Sequence, residues 1–290
     1  MPTEKFEMNT EPVFCLKDLK HPNAVAFNQN GELVVLESDN AEHISTYTSS
    51  GEKLKSFSLS PWITADERMK DLVSVAVGGD GNILAIDNQN HCIYKFTPDG
   101  QELAKVGTKG NGPLQFRHPQ EIAYNKHNGK IYVVDGYHRC QILNPDLTFV
   151  SLFGQMGQDK GQLFNPHGVV CDDNGTVYIV EWSNKRVQSF TPEGKLLKVF
   201  EKPKKEEELD YPVSIAIDQK GRVYISDYEK HRISVFSTSS GKFLASFGQK
   251  GEQLGEFNSP SGMQVDDKGI LYVCDRGNNR IQAFDTTTEL

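Results

Sequence analysis

Short clusters of basic and aromatic residues are the part of this sequence that could do chemistry. Guanidinium and ammonium groups bind phosphates, and Tyr, Trp and His rings stack on the bases of single-stranded RNA. The same residue types form the centre of many protein interfaces. The clusters supply these candidate contacts for RNA or a protein partner: Arg117, His118, Tyr137, His138, Arg139, Trp182, Lys185, Arg186, Tyr228, Lys230, Arg232, Arg276, Asn278 and Trp62.

A repeat of nearly constant length must position these clusters. Six times, a Gly-bearing turn is followed six residues later by a carboxylate, first at Gly31 and Glu37 and last at Gly269 and Asp275. The steps between successive glycines are 50, 48, 46, 46 and 48 residues. This pitch is typical of propeller blades, whereas helical solenoids have shorter, helix-patterned units.

Each repeat contains runs that are too short for helices and apolar on both faces, such as residues 131–134, separated by Gly, Asn and Asp turns. These runs are typical of strands enclosed between neighbouring sheets. The sequence therefore predicts an all-β fold, a six-bladed β-propeller of four-stranded blades. We expect the repeats at about 19–60, 71–106, 117–153, 164–200, 210–247 and 258–285.

The last repeat needs a strand from elsewhere, because its third strand ends near Phe284 and the chain ends at Leu290. Residues 12–16 form a β-like run that belongs to none of the six copies. We expect this run to pair as the outermost strand of the last blade and to close the ring. The domain organisation is then an N-terminal extension at 1–11 and one propeller at 12–290.

Composition agrees with a globular chain in a reducing compartment. The five cysteines are odd in number and lack a CxxC spacing, which disfavours zinc ribbons and disulfide frameworks. No apolar run is long enough to span a membrane, and the N-terminus lacks an apolar signal core. We expect a cytoplasmic protein that does not bind membranes.

The repeats resemble the NHL repeat. The pattern is Pro, an apolar strand, a Gly turn, Leu/Ile-Tyr-Val-x-Asp and Asn-x-Arg-Ile-Gln-x-Phe, and its second half is clearest at residues 275–284. A linker Phe-Gly-x-x-Gly-x-x-x-Gly with a second Phe recurs at 153–164 and 247–257. WD40 repeats are excluded because the Trp-Asp ending is missing, and kelch repeats because paired glycines occur only at Gly78-Gly79.

The resemblance extends to the propeller of TRIM-NHL proteins, which are ubiquitin ligases with RING, B-box and coiled-coil regions. Those regions are absent from this sequence, so the resemblance implies a recognition module, monomeric in isolation, that binds RNA or a protein through one face. We favour single-stranded or loop RNA in post-transcriptional regulation. The alternative is a protein-docking module that recruits substrates to a ubiquitin ligase, in which case the full-length protein would carry a RING region.

The two faces of the predicted ring differ in charge. The turns between first and second strands and between third and fourth strands open on one face, here called the bottom face, and they are rich in Asp. The opposite face, the top face, carries the second-to-third-strand loops, the blade-to-blade connections and the clusters named above. We expect the top face to be basic and aromatic, although a net charge of -8 argues against nonspecific polyanion binding by the whole molecule.

A structural role is the alternative for the recurrent arginines. Arg139, Arg186, Arg232 and Arg280 occupy nearly the same place in their repeats, where they could pair with Asp135, Glu181, Asp227 and Asp275. Residues that the repeat does not require are better candidates for contacts: Arg117, Tyr137, Trp182, Lys185, Tyr228, Lys230 and Arg276.

Two long connections also open on the top face. Residues 58–70 contain Trp62 in a polar insert, and long loops in compact folds are often functional. Residues 201–210 form a charge run that we interpret as a solvated segment, although Lys202, Lys204 and Lys205 could reach a phosphate.

Catalysis is disfavoured by the residues at the starts of the first strands. Six-bladed lactonases and amidating lyases hold calcium or zinc there with several His, Glu, Asp or Asn side chains. Here these places hold one Glu and one His, Glu121 and His167, which do not form a metal cage. The sequence also lacks a Gly-Lys-Ser/Thr phosphate loop and a Gly-x-Ser-x-Gly elbow. We expect no enzyme activity, cofactor or metal in this chain.

Overall fold

Six four-stranded antiparallel sheets form the fold in the computed structural model, which describes residues 10–38, 42–58, 71–201 and 204–287. The predicted six-bladed propeller is confirmed. The first three blades contain β2 (Pro22–Phe27), β3 (Leu33–Ser38), β4 (Glu42–Tyr47) and β5 (Lys53–Ser58); β6 (Leu72–Val77), β7 (Ile83–Asp87), β8 (Cys92–Phe96) and β9 (Glu102–Val106); and β12 (Glu121–Asn125), β13 (Lys130–Asp135), β14 (Arg139–Leu143) and β15 (Phe149–Phe153).

The other three blades follow the same order. They contain β16 (Pro166–Cys171), β17 (Val177–Glu181), β18 (Arg186–Phe190) and β19 (Leu196–Val199); β20 (Pro212–Ile217), β21 (Arg222–Asp227), β22 (Arg232–Ser237) and β23 (Phe243–Phe247); and β24 (Pro260–Val265), β25 (Ile270–Asp275), β26 (Arg280–Asp285) and β1 (Phe14–Leu16). Two minor strands, β10 (Thr108–Lys109) and β11 (Gln115–Phe116), pair in parallel between blades 2 and 3.

The N-terminal strand closes the ring, as the sequence predicted. Strand β1 pairs antiparallel with β26, with Phe14 opposite Ala283 and Leu16 opposite Ile281. The Phe14 ring also lies close to Gly51 of blade 1, where an added methyl group would be 2.8 Å from Phe14 Cζ. The strand therefore covers the edge of blade 6 and also contacts the first blade.

The hydrophobic core lies between adjacent blades. One cluster joins blades 1 and 2 through residues such as Leu36, Ile44 and Tyr94, and corresponding clusters fill the other interfaces, including the one between blades 6 and 1. The second strand of each blade is buried along all or nearly all of its length, as β17 is throughout, because neighbouring sheets cover both of its faces. Burial of each Val, Leu or Ile in such a strand contributes about 1.5 to 3 kcal/mol.

Candidate recognition site on the top face

The loops between second and third strands of blades 2 to 5 end in the same backbone conformation on the top face. The residue that immediately precedes the third strand has a left-handed backbone, with φ of 58° at His91, 62° at His138, 50° at Lys185 and 52° at His231. His138 Nδ1 accepts a hydrogen bond from Asn165 N (3.1 Å), and His231 Nδ1 accepts one from Ser259 N (2.9 Å). His138 therefore links its loop to the next blade connection, a structural role that differs from the predicted ligand contact.

Three of the four recurrent arginines are structural. Arg139 lies 3.2 Å from Asp135, Arg186 2.7 Å from Glu181 and Arg280 2.6 Å from Asp275. Burial raises the pKa of Asp135, and the nearby Arg139 opposes this rise. The alternative role foreseen for these residues thus holds in blades 3, 4 and 6.

The same guanidinium groups also bind the preceding blade connection. Arg186 donates to the carbonyl oxygens of Gln158, Asp159 and Gln162 at 2.7 to 2.9 Å. Arg139 and Arg280 make the equivalent bonds to their own connections. Because these side chains are at most 16% exposed, Arg139 and Arg186 have few donors left for a ligand.

Arg232 departs from this pattern. Asp227 accepts hydrogen bonds from the backbone N–H groups of Asp210 and Tyr211, and Arg232 donates to the carbonyl oxygens of Glu206 and Glu208. Arg232 Nε is buried without a hydrogen-bond partner among the described residues. Its guanidinium group is nevertheless held by the connection between blades 4 and 5.

The other polar candidates are mostly engaged as well. Lys185 Nζ lies 2.6 Å from Asp210, and Lys230 Nζ donates to the carbonyl oxygen of Glu208. Asn278 Nδ2 donates to Gly251 O (2.8 Å) and to Asp275 Oδ2 (2.9 Å). Asn278 is therefore a structural residue, and the two lysines keep only part of their capacity for a ligand.

His118 lies in the connection between blades 2 and 3, and Arg276 lies in the loop between the second and third strands of blade 6. The exposed His118 ring lies 4.8 Å from the ring of His91, and its Nδ1 is 3.1 Å from Asn88 Oδ1. Arg276 is half-buried, and within the described residues its Nε has no hydrogen-bond partner. The Arg276 charge opposes the increase in the pKa of Asp71 that burial causes.

Arg117 keeps an exposed cation. Its guanidinium carbon lies 5.6 Å from the centre of the Tyr137 ring, within the range of a cation–π interaction. The residue is exposed, and Tyr137 is half-buried. This pair is the clearest combination of a cation and an aromatic ring that the predicted site retains.

Four aromatic residues form a continuous cluster across blades 4 and 5. The ring of Trp182 lies 4.6 Å from that of Tyr211, which lies 5.9 Å from Tyr228. The His167 ring lies 6.2 Å from Trp182 and 5.9 Å from Tyr211. All four side chains are partly exposed. We call His167, Trp182, Tyr211 and Tyr228 the aromatic cluster.

The backbone fixes the aromatic cluster in place. Tyr228 N donates to Tyr211 O (2.9 Å), and Trp182 N donates to Asn165 O (3.0 Å), so two loops are tied to blade connections. Burial lowers the pKa of His167 to about 4, which keeps this ring neutral near pH 7. Sequence reasoning identified Trp182 and Tyr228 but missed Tyr211, although Tyr211 directly precedes the proline that opens its blade.

Two predicted features fall outside the described residues. Trp62 and nearly all of the long connection at 58–70 belong to this part of the chain, as does Lys202 of the charge run. Lys204 and Lys205 are described and are exposed.

The charge of the top face is more mixed than residue counting indicated. Its connections and loops also carry Asp71, the three glutamates at 206–208, Asp210 and Glu229. Most of the recurrent cations are paired with carboxylates or carbonyl oxygens. The geometry is thus suited to contacts made by aromatic rings, with few unpaired cations around them.

The described ranges contain neither a metal-ligating cluster nor a helix that could span a membrane. No group of three or more His, Cys, Asp or Glu side chains lies in an arrangement that could hold a metal ion there. Within the same ranges, no helix has the length and apolar character needed to cross a lipid bilayer.

Family models match two parts of the chain. The NHL repeat model matches residues 209–236 and 257–284, and a model of a 6-bladed beta-propeller matches residues 63–159. Both matches agree with the blades seen in the structure.

Curated relatives are similar over part of the ring. NHL repeat-containing protein 3 of Homo sapiens is 33% identical over 109 residues, which are 34% of this chain and 31% of that protein. Protein brain tumor of Drosophila melanogaster is 31% identical over 128 residues, 43% of this chain and 12% of that protein. E3 ubiquitin-protein ligase TRIM71 of Mus musculus is 34% identical over 131 residues, 43% of this chain and 14% of that protein. The chain thus spans a third or less of each of these relatives.

Solved structures share the fold at low sequence identity. The gluconolactonase XC5397 of Xanthomonas campestris has a TM-score of 0.67 at 16% identity, covering 97% of this chain and 93% of that chain. A chain of the nidogen/laminin complex has a TM-score of 0.65 at 16% identity, covering 89% of this chain and 91% of that chain. A gluconolactonase and a chain of the nidogen/laminin complex therefore share this fold, which by itself does not assign a function. The chain contains NHL repeats in a six-bladed propeller and is related to the NHL-containing TRIM-NHL proteins.

Proposed function

We propose that this chain is a non-catalytic recognition module whose top face binds a protein segment at the aromatic cluster. The observation that carries this proposal is the contact of Trp182, Tyr211 and Tyr228 at 4.6 and 5.9 Å, on loops tied to the blade connections. Large aromatic side chains held in place and bordered by paired polar groups are typical of the energetic centre of a protein interface. The ion pair of Lys185 and Asp210 lies at this border.

We rank a protein partner above RNA because several of the cations on the top face are already paired. From the sequence alone we favour RNA, because the top-face clusters contain many Arg and Lys residues. Arg139 and Arg186 are occupied by carboxylates and backbone carbonyl oxygens, and Lys185 is paired. Affinity for RNA depends strongly on the number of phosphates that free cations can neutralise, so this pairing weakens the RNA interpretation.

The names of the relatives are compatible with a docking role. TRIM71 of Mus musculus is named as an E3 ubiquitin-protein ligase. By analogy, the propeller would recruit substrates to a ligase if the natural protein also contains a RING region. The cytoplasmic location expected from the cysteines and the lack of an apolar signal core stays a prediction.

Selection of random peptides displayed on phage tests this proposal. Peptides selected on the wild-type chain should bind Trp182→Ala and Tyr211→Ala at least tenfold more weakly, since each change removes part of the aromatic cluster. Leu197→Ala is the matched control, because Leu197 is 55% exposed on an outer strand away from the top face. Peptides that bind both cluster variants as tightly as the wild type would contradict the proposal.

RNA binding is the second candidate, and a specific observation favours it. The exposed Arg117 lies over Tyr137, so that one cation and one stacking ring are available together, and the aromatic cluster could stack further bases. RNA binding would place the chain in post-transcriptional regulation.

A polarisation titration with a labelled RNA of random sequence tests this candidate. If the RNA contacts about two phosphates, log K should fall with log salt with a slope of about -1.4. Arg117→Glu should abolish binding, whereas Lys195→Glu, which makes the same charge change in an exposed bottom-face turn, should have little effect. Binding that is equally sensitive to both variants would indicate nonspecific attraction and would remove this candidate.

A further inference from the structure

A cavity of about 760 Å³ occupies the axis of the ring. It is lined by the first strands of all six blades and by the turns of the bottom face, on which it opens. Small and apolar residues provide much of the strand lining, among them Ala24, Ala26, Val169 and Ile215. The space is large enough for a small molecule and lies on the side of the ring away from the aromatic cluster.

Glu121 gives this apolar lining a single carboxyl group. Among the described strand residues that line the cavity, it is the one with an acidic side chain of the Asp or Glu type. Its carboxylate accepts hydrogen bonds from Ser214 Oγ at 2.6 Å and from Val169 N at 2.7 Å. A carboxylate has about four acceptor positions, so two of them remain for a ligand.

The space around the carboxylate depends on a glycine. A Cβ atom at Gly168 would lie 3.0 Å from Glu121 Oε2 and 2.7 Å from Val180 Cγ1. Glycine therefore allows the carboxylate to approach the β16 backbone and to accept the bond from Val169 N. Blades 3, 4 and 5 all take part in positioning this one carboxylate.

The mouth of the cavity carries more acid than base. Five aspartates and two lysines line it, namely Asp172, Asp173, Asp218, Asp266, Asp267, Lys126 and Lys268. Some of these charges are compensated, since Asp218 pairs with Arg222 and Lys126 lies 3.7 Å from Asp267. The remaining excess of carboxylates favours the entry of cations over anions.

We propose that this cavity binds a small organic cation, with its ammonium group at Glu121 and its hydrocarbon part against the apolar strands. A carboxylate at the inner end of an apolar cavity suits a primary alkylammonium ion, because the ligand then buries its chain and pairs its charge. The proposal does not rest on the function proposed for the top face.

Binding should depend on pH through Glu121. Burial raises the pKa of this carboxyl group to about 8, although the hydrogen bonds from Ser214 and Val169 oppose the rise. A cation favours the ionised form, so binding near pH 7 should release close to one proton per ligand. Affinity should therefore increase about tenfold per pH unit below about 8 and level off above it.

Neighbouring titratable groups do not produce the same profile. Strand β16 contributes His167, which is neutral near pH 7 because burial lowers its pKa to about 4. Strand β13 ends at Asp135, which is paired with Arg139, and β7 ends at Asp87, which accepts hydrogen bonds from Asn90. The nearest strand of blade 2, β6, contributes Ser74 to the cavity, and the turn after β12 contributes Lys126.

Calorimetric titration of the whole chain with n-pentylammonium chloride, between about pH 6 and about pH 9, tests the proposal. Two buffers with different ionisation enthalpies report the proton release. Glu121→Gln should weaken binding at least tenfold at the higher pH and remove the pH dependence. Glu193→Gln, a matched change at an exposed turn residue, should leave binding unchanged, and n-pentanol should bind without proton release.

A second variant tests the role of Glu121 if Glu121→Gln does not fold. Ser214→Ala removes a hydrogen bond that lowers the pKa of Glu121, so the midpoint of the pH profile should move upward while binding at the highest pH is retained. The proposal is overturned if the wild type shows no saturable heat at tens of millimolar ligand. It is also overturned if Glu121→Gln binds as the wild type does, or if the Ser214→Ala midpoint does not move.

Discussion

Arg139 and Arg117 show how burial separates a structural cation from a candidate contact. The Arg139 side chain is 7% exposed and pairs with Asp135, which is 0% exposed, whereas Arg117 lies exposed over Tyr137. Removing one partner of a buried ion pair leaves the other charge uncompensated. The two arginines should therefore respond differently to the same substitution.

Arg139→Met should reduce the free energy of unfolding by about 3 to 5 kcal/mol, because Asp135 stays buried without its partner. Arg117→Met is the matched control and should change it by less than about 0.5 kcal/mol. Urea denaturation of both variants measures the difference. Similar unfolding free energies for the two variants would mean that the Arg139 pair does not stabilise the blade.

Glu121 should make stability depend on pH. Its pKa is raised to about 8 in the folded chain from an ordinary value of 4.5, so the folded state binds a proton more tightly than the unfolded state does. The contribution of Glu121 to the free energy of unfolding is therefore fully present below about pH 4.5 and is lost as pH rises to about 8. The total loss is roughly 4 to 5 kcal/mol.

The comparison of wild type with Glu121→Gln isolates this effect, because His167 acts in the opposite direction below about pH 6.5 and is present in both chains. The difference in the free energy of unfolding between the two chains should decline from about pH 5 to about pH 8. A difference that stays constant over this range would show that Glu121 is not a buried, protonated group.

The sequence did not indicate that two of the candidate contacts bind the backbone of a neighbouring element. His138 and Asn278 bind the backbone of Asn165 and Gly251, each 27 residues away along the chain. Such partners become neighbours only when the blades pack together. The spacing of these residues along the sequence therefore did not indicate the hydrogen bonds. Tyr211 was missed because it follows a charge run that we interpreted as solvated.

At the scale of elements, the Arg-x-Gln sequence at the start of a third strand holds the preceding connection. In β18, Arg186 and Gln188 both donate to Gln162 O, and Gln188 Oε1 accepts a hydrogen bond from Gly161 N at 2.9 Å. Strands β14 and β26 repeat this arrangement with Gln141 and Gln282. The recurrence of arginine was visible in the sequence, but its carbonyl partners were not.

Blade 5 lacks this arrangement because Ser234 replaces the glutamine. Within the described residues, Ser234 Oγ and Arg232 Nε are buried without hydrogen-bond partners. An unsatisfied buried polar group costs about 1 to 3 kcal/mol. The connection between blades 4 and 5 is thus held less completely than those before blades 3, 4 and 6.

Removal of the N-terminal strand should destabilise the ring. Deletion of residues 1–16 exposes the edge of β26 and removes the buried Leu16 and the half-buried Phe14, with an expected loss on the order of 3 kcal/mol. Deletion of residues 1–9 is the control, because it leaves β1 in place. Thermal and urea unfolding measure both, and equal stability of the two truncated chains would contradict closure of the ring by β1.

At the scale of the whole molecule, periodicity made the fold predictable. Six copies of a strand, turn and strand pattern fix the number of blades, and the incomplete sixth copy indicated that a strand had to come from the N-terminus. The electrostatic character of the top face was not predictable in this way, since it depends on which charges are paired. Pairing leaves Arg117 as an exposed cation, and the four rings of the aromatic cluster stay partly exposed.

Trp182 emission measures most directly whether a partner uses the aromatic cluster. The chain has two tryptophans, so Trp62→Phe leaves Trp182 as the only tryptophan. A peptide selected on the wild-type chain should shift and saturate this emission with the same midpoint as its binding isotherm, because Trp182 becomes covered. Saturable binding of that peptide without any change in Trp182 emission would contradict the account.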